Sequence, residues 1–184
     1  KLTILYGSAT GNAEHIAKEL ASSINNGKSS SSSSPFFDSA DVMECNHFKR
    51  KKLFETWSQP PSSSQPAIMK RHALIVVCST SGNGDAPENA SRFVRHIKKP
   101  PTGNMPLEHV AYAVLGLGDT NYDKFCEASK VIDKKLHEWG AKRGMALTCA
   151  DEATGLEEAV EPWLEHVLIH LEEACTTGNN DSVE

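Results

Sequence analysis

The fold of this chain is decided by the stretch Ser8-Ala9-Thr10-Gly11-Asn12-Ala13, a polar turn between two regularly patterned segments. The apolar residues 2–6 before it predict a buried strand, and residues 12–25 after it place apolar side chains at the spacing of one helical face. The first N–H groups of a helix lack internal acceptors, and the helix dipole favours negative charge there. The stretch therefore predicts a pocket for a phosphate group.

The composition of this turn narrows the kind of phosphate. Ser8, Thr10 and Asn12 add neutral side-chain donors, and the turn holds no Lys or Arg. Neutral donors suit the phosphate monoester of a tightly held cofactor better than a triphosphate with magnesium. The chain also lacks the motifs G-x-x-x-x-G-K-[ST], G-x-G-x-x-G and G-x-S-x-G. We therefore expect no nucleotide triphosphatase, no NAD(P) site and no hydrolase of that type within this chain.

Two further polar, glycine-containing loops follow later apolar strands. Residues 73–78 lead into Ser79-Thr80-Ser81-Gly82-Asn83-Gly84-Asp85, and residues 110–115 lead into Gly116-Leu117-Gly118-Asp119-Thr120-Asn121-Tyr122. Loops at the carboxyl ends of parallel strands converge at the switch point of an open sheet, where ligands bind. We expect the first loop to hold a phosphate and these two loops to enclose a flat ring.

The pattern along the whole chain predicts five strand–helix units. Strands are expected near residues 2–6, 40–45, 73–78, 109–115 and 144–149, and helices near 12–25, 48–57, 87–98, 122–139 and 156–174. Alternating strands and helices imply right-handed crossovers with helices on both faces of the sheet. We predict a three-layer α/β fold with a five-stranded parallel sheet of order 2-1-3-4-5.

Length and composition set the remaining bounds. The 184 residues are expected to form one domain over 1–175, with flexible Ser/Pro-rich insertions near 28–35 and 58–66 and a polar tail or interdomain linker at 176–184. The net charge of -5 argues against nucleic-acid binding. The sequence has no run of about 18 apolar residues, so we expect no membrane segment in this chain. Lys-Arg-Lys-Lys at 49–52 is interpreted as the solvated face of a short helix rather than a docking patch.

The five cysteines are odd in number, widely spaced and without a C-x-x-C pair. This pattern favours free thiols in a reducing compartment and predicts no metal site. His166 and His170 lie four residues apart on the last predicted helix, but no carboxylate follows the H-E-x-x-H pattern. The expected location is the cytoplasm, or the cytosolic face of a membrane if an anchor was removed.

Taken together, the three loops resemble the FMN-binding loops of NADPH diflavin reductases, the family of cytochrome P450 reductase, methionine synthase reductase and sulfite reductase flavoprotein. The similarity runs from residue 2 to about residue 171 with a break in the middle, and it includes residues 132–142, 151–152 and 155–158. It implies a flavodoxin-like fold that binds FMN noncovalently. By this resemblance the FMN-binding residues are Ser8, Ala9, Thr10, Gly11, Asn12, Ala13, Ser79, Thr80, Ser81, Gly82, Asn83, Gly84, Leu115, Gly116, Leu117, Gly118, Asp119, Asn121, Tyr122, Phe125, Cys126, Asp151 and Glu152.

The resemblance also implies roles for individual residues. Tyr122 is expected to lie along the isoalloxazine ring, the alternative being a core tyrosine, and Phe125 and Leu117 to support the ring edge or the core beneath it. The peptide of Gly82 is expected to flip and accept a hydrogen bond from reduced flavin. Cytochrome P450 reductases carry an aromatic residue immediately before that glycine, whereas this chain has Ser81, which leaves one ring face less covered; methionine synthase reductase also has a small hydroxyl residue there.

Acidic residues surround the predicted ring site. Asp119, Asp151 and Glu152 are expected near the ring or its rim, where a carboxylate disfavours negative charge on the flavin and lowers its potential. With Asp85, Glu88 and Asp123, they form either an acidic docking face for basic partners or a set of scattered surface acids.

The function implied by the resemblance is electron transfer through bound FMN, with no catalytic side chain in this chain. In a full reductase, electrons pass from NADPH through FAD to this FMN and on to a haem or cobalamin protein. FAD and NADPH are expected only in domains absent from this chain, as a reductase module in the same polypeptide or in trans. The alternatives are a free-standing flavodoxin-type electron carrier and a flavin-free flavodoxin-like scaffold.

Overall fold

A parallel sheet lies between two layers of helices in the computed structural model, which describes residues 1–27, 36–61, 70–101, 103 and 106–177. Its strands are β1 (Leu2–Gly7), β2 (Ala40–Glu44), β3 (His72–Ser79), β4 (Val110–Gly118), β5 (Lys142–Arg143) and β6 (Thr148–Asp151). Its helices are α1 (Asn12–Asn25), α2 (Leu53–Trp57), α3 (Glu88–Ile97), α4 (Glu127–Glu138) and α5 (Glu157–Thr176), with a 3-10 helix at Cys45–Phe48. The predicted insertion at 28–35, most of that near 58–66, and residues 178–184 of the predicted tail lie outside the described residues.

The sheet confirms the predicted strand order, with one correction. Its order is β2-β1-β3-β4-β5, every pair is parallel, and β6 also pairs with β4. The single fifth strand that the sequence predicts is therefore two short strands. Arg143 pairs with Tyr112 and Thr148 with Leu115. The chain advances five residues from Arg143 to Thr148, whereas β4 advances only three from Tyr112 to Leu115. The two extra residues bulge out of the ladder between β5 and β6.

Each face of the sheet has its own hydrophobic core. On one face, Ile4 and Tyr6 of β1 belong to a cluster with α1 and α5, which contributes the fully buried Trp163. On the other face, Leu5 belongs to a cluster with the 3-10 helix, α2, α3 and α4, centred on Phe93. Strands that are covered on both faces are apolar on both faces, which explains the nearly continuous apolar runs of β3 and β4.

Two predicted helices have different bounds in the structure. The helix predicted over 48–57 is the 3-10 helix followed by the five-residue α2. The helix predicted over 122–139 begins only at Glu127, because Cys126 has a φ of 53°. That left-handed conformation cannot continue a right-handed helix. Residues 122–126 therefore stay in the loop that carries Tyr122.

Two half-buried histidines predict a loss of stability in mild acid. Burial lowers the pKa of His72, whose Nε2 donates to the Gln59 carbonyl at 2.9 Å, and burial together with the charges of Lys49 and Lys99 lowers the pKa of His96. The unfolded chain then binds protons at a higher pH than the folded chain does. We expect the free energy of unfolding to fall as the pH drops below about 6.5, the ordinary histidine pKa.

Urea unfolding measured between pH 8 and pH 5 tests this expectation. His72→Gln should flatten the slope of unfolding free energy against pH. An unchanged slope in this variant and in His96→Gln would contradict the assignment.

Candidate functional site

The polar loops after four strands are hydrogen-bonded to one another at the carboxyl edge of the sheet. The Thr80 N–H donates to the Leu117 carbonyl at 3.0 Å, and the Glu152 N–H donates to the Gly118 carbonyl at 2.8 Å. The Ala9 N–H donates to Ser79 Oγ at 3.3 Å. These bonds bring the three sequence-predicted loops together, with the loop after β6 as a fourth member.

The first loop is shaped by its own serine and by α3. The Gly11 N–H donates to Ser8 Oγ at 3.0 Å, and the Ser8 N–H donates to Asn89 Oδ1 at 2.9 Å. Gly11 has a φ of 102°, a conformation that a residue with a Cβ adopts only with strain. The chain can therefore turn sharply from β1 into α1.

This turn leaves several donors available. Among the described residues, the backbone N–H groups of Thr10, Asn12 and Ala13 make no hydrogen bond. The Asn12 amide donates one hydrogen bond to Glu152 Oε1 at 3.2 Å. Neutral N–H donors at the start of a 14-residue helix are a donor set that fits a phosphate monoester.

The second and third loops meet at Gly82 and Tyr122. The ring of Tyr122 lies so close to Gly82 that a Cβ there would be 2.9 Å from Tyr122 Cε1. The Tyr122 side chain is 54% exposed, so the alternative of a core tyrosine is wrong. A tight turn, in which the Gly84 N–H donates to the Ser81 carbonyl at 2.7 Å, presents Gly82 to this ring. An exposed aromatic face beside a glycine suits a flat heterocycle.

The predicted acidic residues hold the loops in place. The Asp151 carboxylate accepts from Thr120 Oγ1 at 2.6 Å, from the Thr120 N–H at 3.0 Å and from the Ala153 N–H at 3.0 Å. These bonds, the Thr120 hydroxyl foremost, lower the pKa of Asp151. Asp119 Oδ1 accepts from the Asn121 N–H at 2.8 Å. The lowered pKa of Asp151 favours its negatively charged form beside the loop that carries Tyr122.

Other predicted site residues point their side chains into the core. Leu115, Leu117 and Cys126 are fully buried, so the structure does not present their side chains to a ligand. Phe125 is half-buried, with the Lys130 ammonium 5.7 Å from its ring centroid. Thr80 Oγ1 accepts from the Ala128 N–H at 3.2 Å and so helps to anchor the start of α4.

Sequence reasoning missed Asn89, which fixes the backbone of Ser8 from 81 residues away. Its place in the first turn of α3 gave no signal, since nothing in the local pattern shows that this turn packs against the first loop. Among the described residues, no three His, Cys, Asp or Glu side chains are grouped as a metal site, and no helix is long and apolar enough to cross a membrane.

Fold and site together define a doubly wound α/β protein with neutral N–H donors at the start of α1 and an exposed tyrosine ring against a glycine turn. The family model described as flavodoxin matches residues 60–163. This chain belongs to the flavodoxin family. The phosphate donors and the ring site fit the cofactor of that family, and the chain binds FMN for electron transfer as an oxidoreductase domain.

Individual relatives extend this assignment. The chain is 43% identical to methionine synthase reductase of Bos taurus over 113 residues, a match that covers 60% of this chain and 16% of that protein. It is 32% identical over 171 residues to the sulfite reductase [NADPH] flavoprotein alpha-component of Thiocapsa roseopersicina, covering 93% of this chain and 27% of that protein. A solved Streptococcus pneumonia TIGR4 flavodoxin superposes with a TM-score of 0.62 at 25% identity, over 94% of this chain and 97% of its own. The chain thus spans well under half of these two reductases.

Truncation of Tyr122 should weaken FMN binding without loss of stability. Tyr122→Ala removes the exposed aromatic face beside Gly82 but leaves no cavity, since the side chain is on the surface. An aromatic pair contributes about 1 kcal/mol, so we expect roughly a five- to tenfold higher Kd for FMN. Fluorescence titration of FMN measures it, and Tyr122→Trp should restore most of the affinity. Equal affinity in Tyr122→Ala would show that this ring does not contact the flavin.

Proposed function

We propose that this chain is the FMN domain of an NADPH-dependent diflavin reductase, passing electrons from an FAD-containing module to a haem or cobalamin protein. The observation that carries the proposal is the set of unpaired N–H groups at Thr10, Asn12 and Ala13 beside the Gly82–Tyr122 contact, at an edge of the sheet open to solvent. The similarity to a sulfite reductase [NADPH] flavoprotein over 93% of this chain also supports this proposal.

Bound FMN supplies the redox chemistry, since it takes up two electrons and releases them singly. The residues of this chain bind and orient the cofactor. The N–H groups at the start of α1 would hold its phosphate, and Gly82 and Tyr122 would contact its ring. Asp119 lies in the loop that carries Tyr122, and Asp151 is hydrogen-bonded to Thr120 of that loop, so both carboxylates would disfavour further negative charge on a ring bound there.

The partners in this proposal follow from what the chain lacks. It carries no G-x-G-x-x-G motif for a dinucleotide, so NADPH and FAD belong to another module, in the same polypeptide or in trans. All five cysteines are free thiols, and three of them, Cys45, Cys78 and Cys175, have a pKa raised by burial. Unpaired thiols suit a reducing compartment, and we place the protein in the cytoplasm or on the cytosolic face of a membrane.

Stopped-flow mixing tests the electron-transfer step. The FMN-loaded chain is reduced photochemically without oxygen and mixed with oxidised cytochrome c as a haem-protein acceptor. We expect two molecules of cytochrome c to be reduced per FMN, and no flavin reduction by NADPH alone. Flavin reduction by NADPH alone, or no transfer to the haem, would contradict the proposal.

A free-standing flavodoxin-type carrier is the second candidate, favoured by the 97% coverage of a solved flavodoxin by this chain. The two differ in the donor. A free-standing carrier is reduced efficiently by a separate reductase in trans, whereas a fused domain is reduced efficiently only when its reductase module is joined to it. Reduction rates with the module in trans and covalently linked distinguish them.

A further inference from the structure

Five cationic side chains from two distant segments meet beside α3. Lys49 and Arg50 follow the 3-10 helix, and Arg92, Arg95 and Lys99 lie on or just after α3; together they line a cleft of about 570 Å³, here called the basic groove. The whole chain has a net charge of -5. The groove is therefore positively charged although the whole chain is negative. Lys49 and Arg50, the first two residues of the run 49–52, form one wall of it.

Within the described residues, the charges of the groove have no carboxylate partner. Among the described residues, none of the five side chains forms an ion pair with a carboxylate, whereas Lys18 and Lys134, on other helices, pair with Glu14 and Glu138. Such a concentration of like charge costs stability unless an external anion offsets it.

The groove is held in a fixed shape. Asn46 Oδ1 accepts from the N–H groups of Arg92 at 2.9 Å and Phe93 at 3.1 Å, and Asn46 Nδ2 donates to the Glu88 carbonyl at 2.7 Å. The buried Phe48 ring, which lies at the base, packs 4.9 Å from the His96 ring. The two walls are therefore joined by hydrogen bonds and by aromatic packing, and the groove is preformed.

The groove continues toward the cofactor loops. A second cleft of about 830 Å³ shares Arg92 and Arg95 with it and is bordered at its other end by Ser8 and Ser81. Glu44 and Glu88 line the second cleft but not the basic groove, and Asp119, Asp151 and Glu152 line neither cleft. Two surfaces of opposite charge thus flank the FMN loops.

We propose that the basic groove docks an acidic segment of a protein electron-transfer partner, seated beside the FMN site. This inference rests on the proposed function, because an electron carrier must bind a donor and an acceptor protein in turn. A partner with an acidic segment is attracted to the groove, and a basic partner is attracted to the acidic loops. Charge complementarity of this kind sets the encounter rate and orientation of partners.

A labelled peptide tests the groove directly. A fluorophore-labelled hexaglutamate peptide is titrated with the FMN-loaded chain at about 20 mM ionic strength, where surface charges are weakly screened, and followed by anisotropy. We expect saturable binding that weakens with salt. Arg92→Gln with Arg95→Gln should raise the peptide Kd about tenfold or more. The matched pair Lys18→Gln with Lys134→Gln removes the same two charges elsewhere and should change the Kd by less than about twofold.

Amide chemical shifts locate the bound peptide. We expect changes at residues 46–50 and 92–99 and none at 119–122. The proposal would be overturned if the Arg92/Arg95 variant bound the peptide with the same Kd as the parent, or if both double variants lost the same affinity. It would also be overturned if ATP bound more tightly than the peptide, which would indicate a site for small-molecule phosphates. FMN titration of the same samples keeps the two hypotheses apart, because failure of the proposed function removes flavin binding, whereas failure of the groove leaves it intact.

Discussion

Thr10→Glu is expected to abolish FMN binding while leaving the fold intact. Thr10 is exposed in the turn before α1, next to the free N–H groups of Asn12 and Ala13. A carboxylate there can accept from these donors itself and repels the phosphate across a few ångströms. We expect the Kd for FMN to rise about 100-fold or more.

The charge alone should cause this effect. Thr10→Gln matches the size of Thr10→Glu without the charge, and we expect it to weaken FMN binding by less than about tenfold. A carboxylate near a helix N-terminus interacts favourably with the dipole, so the unfolding free energy of cofactor-free Thr10→Glu should stay equal to the parent's or rise. Loss of FMN binding to the same degree in both variants, or unfolding of Thr10→Glu, would contradict a phosphate site at this turn.

Phe93→Ala should have the largest effect on stability. The Phe93 side chain is fully buried between the sheet and α2–α4, and its ring lies 5.7 Å from Phe48 and 6.2 Å from Phe54. Truncation removes the apolar contacts and leaves a cavity that this packed layer cannot fill. We expect the free energy of unfolding to fall by about 3–5 kcal/mol.

Urea denaturation of cofactor-free protein measures this loss. Phe93→Leu keeps most of the side-chain volume and should cost less than half as much. Tyr122→Ala, an aromatic truncation at an exposed position, should cost less than about 0.5 kcal/mol. A small effect of Phe93→Ala together with a large effect of Tyr122→Ala would contradict the described packing.

Sequence patterns predicted the first strand–turn–helix unit closely because local signals agree there. The apolar strand, the turn with Gly11 and the one-sided apolar face of α1 all point to the same structure, and α1 spans the predicted residues 12–25. The strand order 2-1-3-4-5 followed from the alternation of strands and helices together with the family resemblance. Phosphate and ring loops were placed at one edge because carboxyl ends of parallel strands share an edge.

The remaining features depend on contacts between distant segments. The bulge between β5 and β6 depends on how many residues of β4 it faces, and the late start of α4 depends on the left-handed Cys126. The basic groove brings residues 49–50 against 92–99, and only Lys49 and Arg50 were noticed in the sequence, as part of a charged run. Periodicity describes one element at a time and carries no information about such pairings.

The comparison of FMN with riboflavin tests the central claim most directly, since the two ligands differ only in the phosphate. Purified chain, freed of bound cofactor, is titrated into each flavin and the quenching of flavin fluorescence is followed. We predict one FMN bound per chain, and riboflavin bound about 100-fold more weakly because the N–H donors at the start of α1 then have no anion to hold. Equal affinity for the two flavins would contradict the phosphate site, and failure to bind FMN at all would contradict the electron-carrier function.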